Sequence, residues 1–433
     1  MKITPLDGWI RAKTGAADAE SLREYQIGKF CETLDYAKTR SRFYRDYLAK
    51  INIDQITSLD NISAIPYTTA EMLSEDPLGF VCVPPGDINR IVTLPTSGTT
   101  GAPKRIFFTS EDQELTVDFF HQGMSALADN NDRVMIFLPG ETEGGVGDLL
   151  RRGLERLGCE GVIYGPIMDY CDAIRELSTG EYACAVGLPA QLLALSRLDG
   201  GIKLKSVLLC SDYVAEAIVH ALENAWGCDV FGHYGMIETG LGGGVECSAC
   251  AGYHMREADL LFEVIDPVTG LPAPDGERGE LVFTTLTRRG MPLIRYRTGD
   301  VSRVITDRCL CGSALRRFER ASGRICDIIE ISGDCSLSMP MLDEILFCIA
   351  GLIGFTAEVA HSGGREKLAL IIYAKDGAKA VGEAMERIKG DAHIGAALDS
   401  GLIKLIVLQG GAEVLTYGNK KRRVAGANRL YSE

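Results

Sequence analysis

Short apolar runs alternate with amphipathic segments between residues 133 and 240 of this chain. The apolar runs predict buried strands at 133–138, 161–164, 182–187 and 206–210. The spacing of apolar residues predicts helices among them, at 148–157, 171–177 and 215–226. Strand–helix alternation of this kind is typical of an α/β domain with a largely parallel sheet.

The pattern differs on both sides of this region. An amphipathic stretch predicts helix over 20–50, and the sequence TTAE at 68–71 predicts a helix start because its hydroxyls can cap one. After residue 255 the apolar runs predict strands at 260–265, 279–285 and 301–305, joined by Pro/Gly turns. Near the C-terminus we predict helices at 341–349 and 381–388 and strands at 368–373 and 402–408.

The length of 433 residues suits more than one domain. We therefore predict an α/β protein with a large N-terminal body of several subdomains, 1–324, in which α/β sheets are followed by a β-rich segment. A small α+β C-terminal domain follows at 325–433.

Composition excludes several classes of protein. The 46% of apolar residues argue against a disordered chain, and the net charge of −14 argues against a general nucleic-acid binder. The first residues, MKITPLDGWIRAKTG, lack the apolar core of a secretory signal, and no apolar stretch approaches the ~18 residues of a membrane span. We expect a cytoplasmic protein with mostly reduced cysteines and with neither a nucleic-acid nor a membrane partner.

The segment TSGTTGAPK at 96–104 has the chemistry of a phosphate-binding loop. Its glycines allow backbone amides to turn toward an anion, its hydroxyls can donate to phosphate oxygens, and Lys104 adds a positive charge. The spacing is not that of a Walker A loop. A Gly/Thr-rich surface turn is the alternative interpretation, but nine consecutive residues of this type favour a nucleotide site.

Three further motifs follow in order: YGMIE at 234–238, YRTGD at 296–300 and GRICD at 323–327. With the loop at 96–104, they resemble the motifs of the AMP-forming adenylating enzymes, the acyl-CoA synthetase superfamily, and most of all those of its phenylacetate–CoA ligase family. The resemblance covers nearly the whole chain. It implies an adenylate-forming body with a mobile C-terminal lid, and an acid–thiol ligase that uses ATP, Mg²⁺ and CoA.

In such an enzyme a carboxylic acid, for example an aryl acid such as phenylacetate, reacts with ATP to give an acyl adenylate and pyrophosphate. The acyl group then passes to CoA. Two alternatives stay open at this point: an adenylating enzyme that loads a carrier protein or another protein acceptor, and a nucleotide-binding homologue that has lost turnover. The resemblance also leaves open whether the chain forms a homodimer.

The resemblance assigns roles to individual residues. The β- and γ-phosphates would be bound by Thr96, Ser97, Gly98, Thr99, Thr100, Gly101 and Lys104. The adenosine would be bound by Ser211, Asp212, Tyr213, His233, Tyr234, Gly235, Asp300 and Arg324, with Tyr234 on the adenine and Asp300 on the ribose hydroxyls. Glu238 would bind Mg²⁺. Lys420 would bridge the acid and the α-phosphate, with Lys421 as the alternative, and Asp327 would be the hinge of the lid.

Two departures from the family pattern are visible. Ile237 stands where a threonine usually donates to the α-phosphate, and Asn419 replaces the glycine before Lys420. Arg151 and Arg152 follow the glycine-rich segment that leads to the acid pocket in the family. The two arginines either approach the acid or lie on a solvated helix face.

Four residues have the chemistry of a structural zinc site. Cys309 and Cys311 flank a single residue before Gly312, and Cys247 precedes His254 by seven residues. Three thiolates and an imidazole suit tetrahedral Zn²⁺ with no open position. A pattern of this kind also occurs in relatives of the phenylacetate–CoA ligase family. Free thiols are the alternative, and Cys250 could replace His254 as a ligand.

Overall fold

The computed structural model describes residues 3–16, 18–94, 103–199, 201–332, 335–362, 365–411, 422 and 424–426. The α-helices are α1 (Pro5–Thr14), α2 (Ala19–Arg40), α3 (Arg42–Tyr47), α4 (Ala70–Glu75), α5 (Ser110–Met124), α6 (Val146–Leu157), α7 (Tyr170–Thr179), α8 (Pro189–Leu198), α9 (Glu216–Trp226), α10 (Met339–Leu346), α11 (Gly377–Gly390) and α12 (Ala392–Asp399). Short 3₁₀ helices occupy Ile53–Gln55, Leu59–Ala64, Pro85–Asp87, Ile237–Thr239 and Ile325–Asp327.

The strands alternate with these helices and follow one another closely between residues 229 and 318. They are β1 (Arg90–Leu94), β2 (Lys104–Phe108), β3 (Arg133–Ile136), β4 (Glu160–Ile163), β5 (Cys184–Gly187), β6 (Ser206–Leu209), β7 (Asp229–Tyr234), β8 (Gly244–Val245), β9 (Tyr253–Met255), β10 (Leu260–Ile265), β11 (Gly279–Thr285), β12 (Tyr296–Ser302), β13 (Val304–Ile305), β14 (Arg317–Phe318), β15 (Ile329–Ser332), β16 (Cys335–Leu337), β17 (Leu352–Ser362), β18 (Arg365–Ala374) and β19 (Ile403–Gln409).

The chain divides into two compact units. The first contains Met1–Asn131, Gly140–Gly161 and Phe231–Ala321. The second contains Asp132–Pro139, Val162–Val230 and Ser322–Glu433. The first unit ends three residues before the predicted end of the N-terminal body at 324, but the second unit joins the C-terminal segment to part of that body. The mobile lid at 325–433 therefore stays a prediction.

Antiparallel sheets form the framework of the first unit. β10, β11 and β12 form a three-stranded sheet in which Phe262 faces Phe283 and Phe283 faces Tyr296. These aromatic side chains are buried together in one core, where cross-strand packing stabilises the register. β13, β14, β9, β8 and β7 are neighbours in a second sheet. β1 and β2 pair antiparallel, with Leu94 opposite Lys104.

Helices α5 and α6 of the first unit pack closely because Gly153 has no side chain. A Cβ atom at this position would lie 3.0 Å from the backbone nitrogen of His121 and 3.0 Å from Cβ of Phe120. A larger residue would push the helices apart.

The second unit combines a parallel sheet with an α+β segment. β3, β5 and β6 run parallel, with Val134 beside Cys184 and Cys184 beside Ser206. In the C-terminal segment, β18 pairs antiparallel with β17 and parallel with β19, and the parallel pairing requires the crossover that α11 and α12 provide. The guanidinium of Arg197 on α8 donates to the carbonyl of Phe347 at 2.6 Å, which joins both parts of this unit.

Most predicted elements are confirmed, including the strand–helix alternation and the strands at 260–265 and 279–285. The predicted helix start is also confirmed, because α4 begins at Ala70 and the Thr69 side chain accepts from the backbone amide of Met72. The single strand predicted at 301–305 is wrong. Ser302 ends β12, which pairs with β11, whereas Val304 begins β13, which pairs with β14. The apolar run therefore contributes to two different sheets. No helix among the described residues is long and apolar enough to span a membrane.

Candidate active site and cysteine cluster

Lys104, Glu238 and Tyr296 form a compact polar cluster in the first unit. The Lys104 ammonium is ion-paired with the Glu238 carboxylate, and the Tyr296 hydroxyl lies 3.2 Å from Lys104 Nζ and 3.3 Å from Glu238 Oε1. The side chains of Lys104 and Glu238 are 15% and 3% exposed. An ammonium, a carboxylate and a hydroxyl held together in this way can bind phosphate and a hard cation.

The local backbone explains how two of these residues are held. Lys104 is the first residue of β2 and follows directly on the predicted phosphate loop. Glu238 lies in the 3₁₀ helix Ile237–Thr239, which ends at Gly240 with φ +76°. A Cβ atom on Gly235 would lie 2.4 Å from the carbonyl oxygen of Leu241, so the turn before Glu238 requires glycine.

The predicted phosphate-binding residues Thr96, Ser97, Gly98, Thr99, Thr100 and Gly101 lie outside the described residues, so their roles stay predictions. The same holds for Lys420 and Lys421. The hydroxyl of Tyr296 is a functional candidate that the sequence reasoning missed. The motif at 296–300 carried the signal, but only its last residue received a role.

Tyr234 and Asp300, predicted for adenine and ribose, meet in the same unit. The Tyr234 hydroxyl donates to Asp300 Oδ2 at 3.0 Å, and the two residues are 8% and 4% exposed. Gly299 takes φ +74°, and Thr298 Oγ1 accepts from the Asp300 amide, so the turn fixes the carboxylate. The structure therefore brings together two residues that are 66 positions apart in the sequence.

His233 precedes Tyr234 on β7 and contacts apolar rings. Its ring lies 6.0 Å from that of Phe119 and 6.1 Å from that of Phe120. Among the described residues, no group hydrogen bonds to its buried Nε2. Burial lowers the pKa of His233 to about 4, so the imidazole is neutral near pH 7 and carries no charge to a phosphate.

The remaining described nucleotide candidates belong to the second unit. Ser211 takes φ +69°, an uncommon conformation for a residue with a side chain, directly after β6. Asp212 accepts from the Tyr213 amide at 2.9 Å and from the Arg422 amide at 3.2 Å. The Tyr213 hydroxyl donates to Glu344 at 2.8 Å. Strain just beyond the end of a parallel strand is common at binding sites.

Arg324 and Asp327, the predicted ribose and hinge residues, lie at the start and the end of one short helix of the second unit. Arg324 is the residue before the 3₁₀ helix Ile325–Asp327, and its carbonyl accepts from the Asp327 amide at 3.0 Å. Asp327 is buried, with 8% of its surface exposed.

Arg422 is buried close to Asp343. Its Nη1 lies 2.6 Å from Asp343 Oδ1, and its guanidinium stacks over the rings of Phe347 and Phe355. Burial raises the pKa of Asp343 to about 7, although Arg422 opposes the shift. The arginine follows directly on the predicted catalytic lysines in the sequence.

Arg151 and Arg152 lie in ion pairs of helices α5 and α6. Arg151 contacts Asp148 at 2.8 Å and also pairs with Glu155, whereas Arg152 pairs with Glu114 of α5. These contacts fit the interpretation of a charged helix face rather than that of an acid-binding group.

Cys247, His254, Cys309 and Cys311 converge, with their ligand atoms all within 4.8 Å of one another. Cys247 Sγ lies 3.5 Å from Cys309 Sγ, and Cys311 Sγ lies 3.5 Å from His254 Nε2. Ligands around tetrahedral zinc are roughly 3.4–3.8 Å apart, given bonds of about 2.0–2.3 Å. The cluster contains His254 and not Cys250, so the structure favours His254 as the fourth candidate ligand.

The surroundings favour the ligating forms of two of these side chains. Burial lowers the pKa of His254 to about 4, so the imidazole is neutral. Burial raises the pKa of Cys311, but hydrogen bonds from the backbone amides of Ser313 and Thr4 outweigh it and leave the pKa below its ordinary value. A neutral imidazole and a stabilised thiolate are the forms that bind metal.

The chain is similar to a known protein family and to characterised relatives. A family model described as AMP-binding enzyme matches residues 69–286, half of the chain. Phenylacetate-coenzyme A ligase from Thermus thermophilus is 30% identical over 328 residues, which cover 72% of this chain and 73% of the relative. Phenylacetate-coenzyme A ligase from Escherichia coli is 27% identical over 344 residues, which cover 76% of this chain and 77% of the relative.

A solved structure supports the fold. The crystal structure of 2-hydroxyisobutyryl-CoA ligase in the postadenylation state, in complex with R3-HIB-AMP, matches with a TM-score of 0.81 and 21% identity over 96% of this chain and 91% of that chain. This match confirms the predicted α/β fold class. The family match, the identity to the relatives and the motifs agree: the chain belongs to the AMP-binding enzymes, the AMP-forming adenylating superfamily, and within it to the phenylacetate–CoA ligase family.

Proposed function

We propose that this chain is an AMP-forming acid–CoA ligase whose substrate is an aryl acid such as phenylacetate. The observation that carries the proposal is the pair of clusters in the first unit, Lys104–Glu238–Tyr296 and Tyr234–Asp300. Tyr296 and Asp300 share strand β12, and Tyr234 and Glu238 lie four residues apart, so one short region supplies groups for phosphate, metal and adenosine. The relatives, named phenylacetate-coenzyme A ligase, support this choice of acid and acceptor.

The charges of the reactants decide what the active site must supply in the first half-reaction. The substrate carboxylate attacks the α-phosphorus of ATP while pyrophosphate leaves, so the active site must neutralise several negative charges. Lys104 would donate to the β- and γ-phosphates together with the loop at 96–101. In this structure Lys104 and Glu238 neutralise each other. A bound phosphate offers the ammonium another anion and frees the carboxylate for a cation.

Glu238 fits a magnesium site because Mg²⁺ is usually bound through one or two carboxylates, with substrate phosphates and waters completing its shell. When bound, Mg²⁺ supplies the charge that stabilises the pyrophosphate leaving group. Tyr234 and Asp300 would fix the adenosine so that the α-phosphate meets the acid in a reactive geometry. Lys420 would neutralise the attacking acid and the α-phosphate.

In the second half-reaction the CoA thiol attacks the adenylate carbonyl and AMP leaves. No covalent bond to the enzyme is required, so the exposed Cys326 beside the predicted hinge needs no role as a nucleophile. Rotation of the C-terminal segment about Asp327 would move Lys420 away from the adenylate and bring other residues of the segment to face it. Rotation, homodimer formation and cytoplasmic location stay predictions.

A panel of carboxylic acids tests the proposed activity. Purified protein with ATP and Mg²⁺ is given aryl, arylacetic and short aliphatic acids, and pyrophosphate release is measured with and without CoA. We expect at least one acid, from the aryl or arylacetic group, to give sustained release only when CoA is present, with the acyl-CoA identified by mass spectrometry. Adenylation without any acyl-CoA product would indicate a different acceptor, and absence of release for every acid would contradict the proposal.

We also propose that Cys247, His254, Cys309 and Cys311 hold a structural zinc ion, supported by their mutual distances and burial. Four protein ligands leave no open position for substrate, so the ion would stabilise the fold rather than act in catalysis. Metal analysis should find about one zinc per chain in wild-type protein and in Cys250→Ala, and much less in Cys309→Ala. Zinc-free wild-type protein with freely titrating thiols would contradict the proposal.

A further inference from the structure

A buried arginine holds the main chain of the turn that carries Glu238. Arg288 Nη1 donates to the main-chain carbonyl of Glu238 at 2.7 Å, and Arg288 is only 7% exposed. Its guanidinium also stacks over the ring of Phe108 at 5.0 Å. A buried guanidinium that donates to a main-chain oxygen fixes that oxygen more firmly than a neutral donor would.

A second group holds the next part of the same turn. Thr116 Oγ1 on α5 donates to the carbonyl of Gly240 at 2.8 Å, and Thr116 is 2% exposed. The turn fits tightly against both groups, since a Cβ atom on Gly240 would lie 2.8 Å from Arg288 Nη2 and 3.4 Å from Thr116 Oγ1. The main-chain carbonyls of Glu238 and Gly240, on both sides of Thr239, therefore each accept a hydrogen bond from another part of the first unit.

Arg288 is itself held at a defined position. The carboxylate of Asp112 accepts from the backbone amides of Arg289 at 2.8 Å and Gly290 at 2.9 Å, directly after Arg288 in the chain. Burial lowers the pKa of Arg288 to about 10, while Asp112 and Glu238 raise it, so the guanidinium stays charged near pH 7. A charged side chain at this depth is costly unless it is hydrogen-bonded, and Arg288 meets this condition through the carbonyl of Glu238.

We infer that Arg288 is a positioning residue that sets the distance between the Glu238 carboxylate and the nucleotide-bound metal. The inference rests on the proposed magnesium role of Glu238. Metal ligands need correct placement to within a few tenths of an ångström, and the groups behind them commonly change metal affinity 10- to 100-fold. Arg288 reaches the ligand through its main chain, so it affects the metal and not the adenosine contacts at Tyr234 and Asp300.

The test measures metal binding rather than turnover. Mn²⁺ affinity in the presence of ATP is measured by electron paramagnetic resonance, and AMP affinity without metal by calorimetry, for wild type, Arg288→Met, Arg288→Lys and the neighbouring exposed control Arg289→Met. We expect Arg288→Met to raise the Mn²⁺ dissociation constant at least tenfold and to leave AMP affinity within twofold. Arg288→Lys should recover most of the loss, and Arg289→Met should match wild type.

Several outcomes would overturn the inference. A folded Arg288→Met protein with Mn²⁺ affinity within twofold of wild type would do so, as would an equal loss of AMP affinity, which indicates general damage. If Arg288→Met does not fold, Thr116→Val carries the test, with an expected three- to tenfold loss of Mn²⁺ affinity and an unchanged value overturning the inference. Wild-type protein that fails to bind Mn²⁺ with ATP would overturn the proposed function as well.

Discussion

Two buried ion pairs, one in each unit, differ in what surrounds them. Lys104–Glu238 lies in the first unit and Arg422–Asp343 in the second, and both carboxylates are nearly inaccessible, with 3% and 2% of their side chains exposed. The cations differ, at 15% exposure for Lys104 and 9% for Arg422. The two pairs have the same charges and similar burial, so their environments must explain any difference in role.

The lysine pair has the properties of an exchangeable contact. Lys104 presents a compact ammonium, whose further polar neighbour among the described residues is the Tyr296 hydroxyl at 3.2 Å. Lys104 is also the last residue of the predicted phosphate loop. The arginine pair is a fixed one. Arg422 stacks over Phe347 at 5.0 Å and Phe355 at 4.6 Å, so leaving Asp343 would also cost aromatic packing. Lys104 can therefore exchange Glu238 for another anion, whereas Arg422 is held beside Asp343.

The largest effect is expected at the exchangeable pair. Lys104→Met removes a phosphate donor and should lower acid-dependent ATP–pyrophosphate exchange by about 10²–10³-fold. Glu238 then lacks its cation, so some stability is lost as well, but the greater exposure of Lys104 (15%, against 9% for Arg422) should keep this loss below that of Arg422→Met. Arg105→Met, an exposed neighbour on the same strand, is the matched control. Exchange within threefold of wild type would remove Lys104 from the phosphate site, and a loss of stability as large as that of Arg422→Met would make both ion pairs structural.

A large stability effect is expected at the fixed pair. Arg422→Met leaves Asp343 buried without its cation and should destabilise the fold by about 3–5 kcal/mol at pH 8. The cost should be smaller at pH 6, where Asp343 is mostly protonated and needs no counter-charge. Urea denaturation measures both values. Arg387→Met in the same unit removes a half-exposed pair with Glu383 and should cost less than about 1 kcal/mol. Equal losses of stability in the two variants would mean that the buried Arg422 pair contributes no more to folding than a half-exposed pair.

A smaller change in stability is expected from the protonation of Asp343. Burial raises its pKa from 3.8 to about 7, so the folded protein binds this proton more tightly than the unfolded chain does. The stability that this carboxyl contributes is fully present below pH 4 and is lost as pH rises through 7. Wild type should therefore lose urea resistance relative to Asp343→Asn between pH 5 and pH 8. The opposite trend would mean that the carboxylate is the form the fold favours.

The sequence predicted local structure and motifs well because both depend on short-range patterns. Alternation of apolar runs and amphipathic segments gave the strands and helices of 133–226, and the motif order gave the family. Elements without a local sequence signature were harder to predict. Helix α8 is buried along almost its whole length, from Pro189 to Ser196, so it has no polar face to mark it. The run at 301–305 divides between two sheets because pairing partners, not composition, decide where a strand ends.

The sequence by itself determined the residue types at the candidate sites, while the tertiary structure decided which of them meet. Lys104 and Glu238 are 134 residues apart, and no local pattern places Tyr296 beside both. The metal candidates show the reason. His254 lies opposite Val245 on β8 and Arg317 on β14, and these registers bring it to the cysteines of two other segments, whereas Cys250 lies in the turn before β9. Such pairings depend on sheet register, which the packing of the whole unit fixes and short-range sequence cannot.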